Sequence, residues 1–472
     1  MFGRVLAYVV MFFVPIINTR ALSVDQYGYY RQFQLLFETL TPLLILGFPV
    51  SLQYYLPRAE SERDRSVYVT QTLTFLFVNS LIAMVIYTVL GQVLGGGMGL
   101  MIRSFYWRLG AFTGLMMTSV YMEYLFAAEK EVGRQAVYHA SFAIAQAATV
   151  MGCAWFFRDV TAVIWGLTIF AAVKFLFAVG YTVARYRPSF RLISLKTINE
   201  QLSFAFPIGL FSITLVLLAQ TDKFIINRFM GREAFAIYVI GAFQIPVVNM
   251  INQSVRNVTF PLMVEYEKAD RYESIADLWR RTVLKTAVLY FPIFVGLEAV
   301  AGTFIRVLYT DTYAAAAPIF MIYLLLLFRA TLDTVSIIQV FKRTGYLLRV
   351  FGTAFVVNLV LSIALFKTIG REGVPLATVL TLFATTMVNI VYCSRLCRVP
   401  LRQFLPVGGL VRRFLVAVIP GVGLCWISRR LGVDSFIGLA ALGIGYIVVY
   451  GALARATDLI SIGDLKSLFG RS

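Results

Sequence analysis

Histidine is almost missing from this chain: His139 is the one copy in 472 residues. Most hydrolytic schemes draw their general base from histidine, and they lose it here. Cysteine is scarce as well. Cys153, Cys393, Cys397 and Cys425 make no disulfide framework, and Cys393 and Cys397, although on one helix face, have no His or acid beside them, which favours packing over metal binding. Charged residues make up 14% of the chain against 59% hydrophobic, with a mean hydropathy of +0.79. That composition leaves too little polar surface for the two or three water-soluble domains that the length would otherwise suggest. Short alternating segments are lacking, because runs such as 80–90 and 323–328 are apolar on every side, and a membrane β-barrel is excluded with them. The run Gly95-Gly-Gly97 has no Gly-Lys-Ser/Thr ending and reads as a turn rather than a phosphate loop. No catalytic triad, metal cluster or cofactor motif stands out.

What fills the chain instead is about fourteen apolar stretches, each close to the ~20 residues that carry a helix across a bilayer. They predict an all-α polytopic membrane protein with helices near 3–19, 32–55, 67–93, 104–126, 136–157, 160–184, 203–227, 234–255, 283–307, 314–335, 346–367, 374–394, 412–428 and 435–454. The first stretch resembles a signal peptide, but it lacks a small-x-small cleavage site and another span follows soon, so it is read as a transmembrane helix. The net charge of +18 comes from 42 Lys and Arg against 24 Asp and Glu. With both termini cytoplasmic, the dense basic runs at 185–196, 256–285 and 395–413 all fall inside, which fits the positive-inside rule and attraction to anionic membrane lipids, not nucleic acid.

Two amphipathic stretches, Leu192-Leu195-Ile198-Leu202 and Ile275-Leu278-Trp279, read as docking surfaces on the inner face. The chain also repeats. Asn18 to Tyr30 aligns without gaps with Ile226 to Tyr238, matching Arg20 to Arg228, Tyr27 to Phe235 and Tyr30 to Tyr238, and a proline-bearing helix follows each copy. An even number of helices separates the copies, so the repeat is parallel: two six-helix lobes, 1–190 and 191–398, followed by two more helices and a tail in 399–472. Chance similarity between two outer turns is the alternative.

The segments Arg20-Ala-Leu-Ser-Val-Asp-Gln-Tyr-Gly-Tyr-Tyr30 with Leu46-Gly-Phe-Pro49, Gln220-Thr-Asp-Lys-Phe-Ile-Ile-Asn-Arg-Phe-Met-Gly231, Val307 to Pro318 and Ile369 to Thr378 resemble, in that order, the polysaccharide transporters that flip lipid-linked oligosaccharides. These form a branch of the multidrug/oligosaccharidyl-lipid/polysaccharide exporter superfamily, and the likeness covers nearly the whole chain. It implies twelve core helices in two lobes plus two C-terminal helices, no enzyme activity and no cofactor. The chain departs from the commonest pattern in Lys223, where arginine often follows the aspartate, and in Glu298 within the ninth helix.

A charge at mid-bilayer costs at least ~2.5 kcal/mol on insertion scales, so charges within spans normally face protein or a wet cavity. The candidates are Glu38, Glu123, Lys174, Asp222, Lys223, Glu298, Arg329 and Asp333. Arg329 and Asp333 are four apart and can pair along one helix; Asp222 and Lys223 are adjacent and cannot; Glu123 reads as interfacial and His139 as a packed side chain. A diphosphate headgroup needs cations and a sugar needs amides, which makes Lys174, Arg329, Lys223, Asn249 and Asn252 the substrate-binding candidates. Glu298, Asp222 and Glu38 are the candidates for a coupling ion, and no metal ligand is expected.

The resemblance and these charges together point to export of a polyprenyl-diphosphate-linked oligosaccharide, an O-antigen, capsule or exopolysaccharide repeat unit, by alternating access across a bacterial or archaeal inner membrane. A polysaccharide polymerase and glycosyltransferases are the expected partners. A multidrug or small-cation antiporter of the same superfamily, and a membrane glycosyltransferase or polymerase, are the alternatives; the outer connections are short for the latter. The charge asymmetry predicts that reporter fusions after Ser194, Ala269 and Arg398 report cytoplasm and fusions near Gly96, Thr310 and Arg371 report the outer compartment. Inverted signals at most of these points overturn the orientation.

Overall fold

The structure is a computed structural model that describes residues 2–93, 96–188, 191, 193–243 and 245–459; Gly95, Leu192 and the tail beyond 459 lie outside them. Among the described residues every regular element is a helix. The chain divides into two compact units, residues 1–239 and 240–472. Unit 1 holds α1 (Phe2–Ala21), α2 (Val24–Ile45), α3 (Val50–Tyr55), α4 (Glu62–Val93), α5 (Gly96–Ser119), α6 (Tyr121–Ala128), α7 (Val132–Phe157), α8 (Val160–Tyr186) and nearly all of α9 (Leu195–Gly241). Unit 2 holds α10 (Pro246–Lys268), α11 (Tyr272–Ala299), α12 (Ala301–Tyr309), α13 (Ala317–Leu324), α14 (Leu326–Ala330), α15 (Val335–Val340), α16 (Thr344–Ile369), α17 (Gly373–Leu396), α18 (Leu401–Phe404), α19 (Val407–Leu431) and α20 (Phe436–Ala456). The compact division thus falls inside α9, whereas the sequence repeat divides the chain near 190.

Ten of the described helices are long and apolar enough to cross a membrane, or eleven when the bent pair Val24–Ile45 and Val50–Arg58 is one span. Three of the expected spans fall short of that measure, each for a visible reason. The apolar part of α1 among the fully described residues, Val9–Ala21, is shorter than a span. Within α5, Arg103 and Arg108 interrupt the apolar run. The stretch 234–255 is broken: α9 ends at Gly241 and α10 begins at Pro246 with Asn249, Asn252, Gln253, Arg256 and Asn257 in its first half. The chain is a multi-pass membrane protein.

Local chemistry sets the breaks. Ser23 caps α2 through a capping box, its Oγ accepting from the Gln26 N–H at 3.2 Å while Gln26 Oε1 accepts from the Ser23 N–H at 3.3 Å. Gly231 occupies the matching place of the repeat, and there α9 leaves helical geometry at φ 82°. Tyr27, Tyr30, Phe235 and Tyr238 are all buried and Arg20 and Arg228 both exposed, as equivalent positions should be. Of the two stretches read as docking surfaces, only the second turns inward; in the first, Leu195 is exposed and Ile198 and Leu202 are half-buried. There α9 runs from Leu195 into its span without a break, and Gln201 is buried against Ser51. In the second, Ile275 and Trp279 are buried, the indole stacked 4.4 Å from Phe404 and its N–H donating to the Asp333 carbonyl at 2.6 Å.

Glycine contacts allow the tightest crossings. In unit 2, Gly241 lies against Ile319 and the Ala316 carbonyl, and Gly421 against Val295. In unit 1, Gly47, at φ 70°, meets Gly209, and a Cβ on Gly209 would lie 2.2 Å from the Leu46 carbonyl oxygen. Gly209→Ala therefore has to push α2 and α9 apart, at roughly 1–3 kcal/mol or more, whereas a Cβ at Gly180 on α8 meets nothing within 4 Å. In detergent, Gly209→Ala should lower the unfolding temperature and Gly180→Ala should hold or raise it. Equal temperatures for the two variants would contradict the close approach.

Candidate functional site

In unit 1, α2 and α3 run antiparallel to α9, and polar side chains meet at each step of the crossing. Arg232 Nη1 donates to both carboxylate oxygens of Asp25, at 3.0 and 2.8 Å, with its guanidinium 4.3 Å from the ring centre of Tyr29. Deeper along the pair, Gln32 Nε2 donates to Asn227 Oδ1 at 2.6 Å, and Gln220 Nε2 to Glu38 Oε2 at 3.2 Å. Past the Gly47–Gly209 contact, Gln201 Nε2 donates to Ser51 Oγ at 2.9 Å and the Tyr55 hydroxyl to the Glu200 carbonyl at 3.2 Å. These are residues that neither helix could turn to lipid alone.

The centre of this seam links an acid to a base through an amide. Gln220 gives its N–H to Glu38 and takes one from Lys223 Nζ at 2.8 Å, and Lys223 also donates to the Ala219 carbonyl at 2.8 Å. Glu38 is exposed and Lys223 half-buried, so both remain within reach of something outside the helix pair. Asp222 is placed differently: it is 2% exposed, and its Oδ2 accepts from the Tyr238 hydroxyl at 2.9 Å, bracing α9 across the Gly231 kink. Of the acids expected to handle a coupling ion, Glu38 faces outward and Asp222 inward.

In unit 2, α10 carries the amides. Asn249, Gln253 and Arg256 follow helical spacing on an exposed face, with Arg256 bonded to Gln339 of α15. Asn252 turns the other way and accepts from the Tyr290 hydroxyl at 2.7 Å. The α10 N-terminus has Pro246 in its first turn and no side-chain cap, so the backbone donors of that turn have no side-chain acceptor at the cap position. Glu298 stands in the last turn of α11 rather than mid-helix, because the helix breaks at Val300; its Oε2 is buried without a hydrogen-bond partner among the described residues.

One expected pair does not form. Among the described residues no ion pair joins Arg329 to Asp333, because α14 ends at Ala330 and the four-residue spacing no longer spans one helical turn. Arg329 Nε donates to Thr386 Oγ1 at 3.1 Å, while Asp333 starts α15, accepting from the Val335 N–H at 3.1 Å and from the Ser336 hydroxyl at 2.5 Å. Lys174 is buried on α8 with neighbours on α6 and α7. The ring centres of Tyr138 and Phe142 are 5.6 and 5.8 Å from its ammonium. His139 Nδ1 lies 3.3 Å from Glu123 Oε1, a partner 16 positions away that sequence periodicity could not have shown. The α2–α9 pairing was equally hidden, although the polar residues at 25, 32, 38, 220, 227 and 232 were a signal that two spans needed each other.

Fold and seam together define a helical multi-pass membrane protein with polar networks threaded through apolar helices. Residues 17–318 match the family described as polysaccharide biosynthesis protein, and the chain belongs to that family. The teichuronic acid biosynthesis protein TuaB of Bacillus subtilis (strain 168) is 32% identical over 105 residues, so the chain matches about a fifth of that relative's length, 21% of each. The lipid II flippase MurJ, in an inward closed conformation, superposes with a TM-score of 0.67 at 13% identity, covering 96% of this chain and 99% of that one. A multidrug resistance MATE family transporter of the MOP superfamily, inward-facing, gives 0.59 at 11% identity over 83% and 94%. At those identities the two likenesses show the fold.

If the Glu38–Gln220–Lys223 chain is one network, Glu38→Ala and Lys223→Met should be non-additive. Their unfolding free energies in detergent should show a coupling of about 0.6–1.7 kcal/mol, the range of hydrogen bonds between membrane helices. Strict additivity would mean that Gln220 does not connect them.

Proposed function

We propose that the protein moves a polyprenyl-diphosphate-linked oligosaccharide outward across the bacterial or archaeal plasma membrane, alternating access between the two faces. The observation that carries this reading is the break in the expected eighth span. Backbone freed from a helix within a bilayer is tolerated where it lines protein or water, and broken helices commonly form the substrate sites of carriers. Here the break is followed by an uncapped helix N-terminus and by the exposed Asn249, Gln253 and Arg256. N–H donors and a cation suit a diphosphate, and amides suit sugar hydroxyls. Within unit 2, Arg329 is a further cation for the phosphates and Asn252 supports the amide face through Tyr290; in unit 1, Lys223 is a separate candidate cation. Glu38, in reach of solvent, and Glu298, with one oxygen unpartnered at a helix C-terminus where a second negative end is unfavourable, are the carboxylates proposed to take a coupling cation. Family membership supports a role in polysaccharide biosynthesis beside glycosyltransferases and a polymerase. The repeat unit carried, whether O-antigen, capsule or exopolysaccharide, would be set by sugar contacts of this kind.

The test is complementation of a deletion strain by Asn249→Leu/Gln253→Leu, with protein level matched to wild type. Lipid-linked oligosaccharide should accumulate on the inner leaflet, and its accessibility to an external, membrane-impermeant glycosidase should fall by roughly tenfold or more, the loss of about 1.4 kcal/mol. Normal access in that variant removes α10 from the path. If wild-type proteoliposomes instead expel organic cations on a proton gradient and leave the lipid-linked sugar in place, the antiporter reading replaces this one. Sugar transfer by the purified protein would favour the enzyme.

A further inference from the structure

Three ionisable side chains that neither the α2–α9 seam nor α10 uses come together in unit 1. His139 on α7 lies 3.3 Å from the Glu123 carboxylate on α6. One turn before the histidine, Gln135 Nε2 donates to the Glu123 carbonyl at 3.0 Å and fixes the two helices at that point. From α8, the Lys174 ammonium sits near the faces of Tyr138 and Phe142 and feels the Glu123 charge. Titratable groups facing Glu123 include His139 and Tyr138 from α7, Lys174 from α8 and Tyr124 from its own helix. The neighbouring α3 offers Tyr54 and Tyr55, which stack on Phe204 and Tyr68 instead, and Arg20 is the charge among the described side chains of α1.

Glu123 is the carboxylate beside the imidazole and the acid whose charge reaches Lys174. A proton taken by the imidazole makes both ring nitrogens donors, with Nδ1–H directed at the carboxylate, and histidine is the side chain whose charge ordinarily changes between pH 5 and 8. All three helices that meet here carry one member of the cluster, so a change in its charge bears on their packing. We propose that Glu123, His139 and Lys174, the last also a candidate for the substrate path, form a proton-binding site that makes transport depend on pH. The second half of the proposal rests on the transport reading; the first does not.

Because His139 is the one histidine in the chain, protein labelled with 15N-histidine, purified on a non-histidine tag and placed in lipid nanodiscs, gives a single imidazole titration. Glu123→Gln and Lys174→Met should each move its midpoint by about half a pH unit or more, since a neighbouring charge is what each variant removes. In proteoliposomes loaded with lipid-linked oligosaccharide, wild-type flux should change several-fold between pH 6 and 8, and His139→Gln should reduce that ratio to within about 1.5-fold. His139→Asn replaces it should the glutamine variant elute as aggregate. A midpoint that neither variant moves overturns the site, and a pH profile unchanged in a well-folded His139 variant overturns its link to transport. Wild-type protein that carries no lipid-linked oligosaccharide at any pH, while its midpoint still responds to Glu123→Gln, overturns the transport reading and leaves the proton site standing.

Discussion

Inside a bilayer no water is present to satisfy an amide or a charge, and an unpaired polar group there costs several kcal/mol. The seam of unit 1 is arranged around that constraint. Asp25, Gln32 and Glu38 on α2 cannot face lipid, and neither can Gln220, Asn227 and Arg232 on α9; laid antiparallel, each finds its partner on the other helix. The contact between Gly47 and Gly209 brings the two backbones close enough for these bonds to form. A hydrogen bond between membrane helices averages about 0.6 kcal/mol, so a handful of them adds little stability and instead selects one register. A slip along α9 would leave a charge unpaired, and that penalty holds Glu38 and Lys223 on either side of Gln220.

The same constraint separates two kinds of helix break in unit 2. Between α14 and α15 the chain closes on itself: Asp333 accepts at the start of α15, Trp279 donates to the Asp333 carbonyl, and the Cys393 thiol lies 3.6 Å from the Thr334 carbonyl. That break is satisfied by protein and serves packing. Before α10 the link is followed by a helix start without a side-chain cap and by an exposed amide face. The exposed amide face is why the candidate site for cargo is placed at α10 rather than at Asp333. Tight glycine contacts at Gly241 on one side of this link keep it in place.

The unit 1 acid–base cluster follows a third pattern. Lys174 is buried with the aromatic faces of Tyr138 and Phe142 beside its ammonium and no direct salt bridge among the described residues, so its burial is only partly offset. The His139–Glu123 pair beside it is partly open, with side-chain exposures of 37% and 39%, so protons can reach it.

Much of the fold was legible in the sequence because it depends on short-range regularities. Apolar length gave the helices, since a span needs about 20 residues and the backbone must satisfy itself. The repeat placed a turn where α9 kinks at Gly231, whereas 234–255 was read as one apolar span although Asn249 and Asn252 lie in it, and the structure breaks that span before Pro246. What the sequence could not determine was every partnership between helices. The four-residue spacing of Arg329 and Asp333 promised an ion pair that a helix break removed, and the apparently solitary Lys174, Glu123 and His139 proved to be neighbours. Periodicity says which face of a helix is apolar, but the partner of a polar side chain is decided by which helix crosses it, at what depth, and where that helix stops; those are properties of the packed chain.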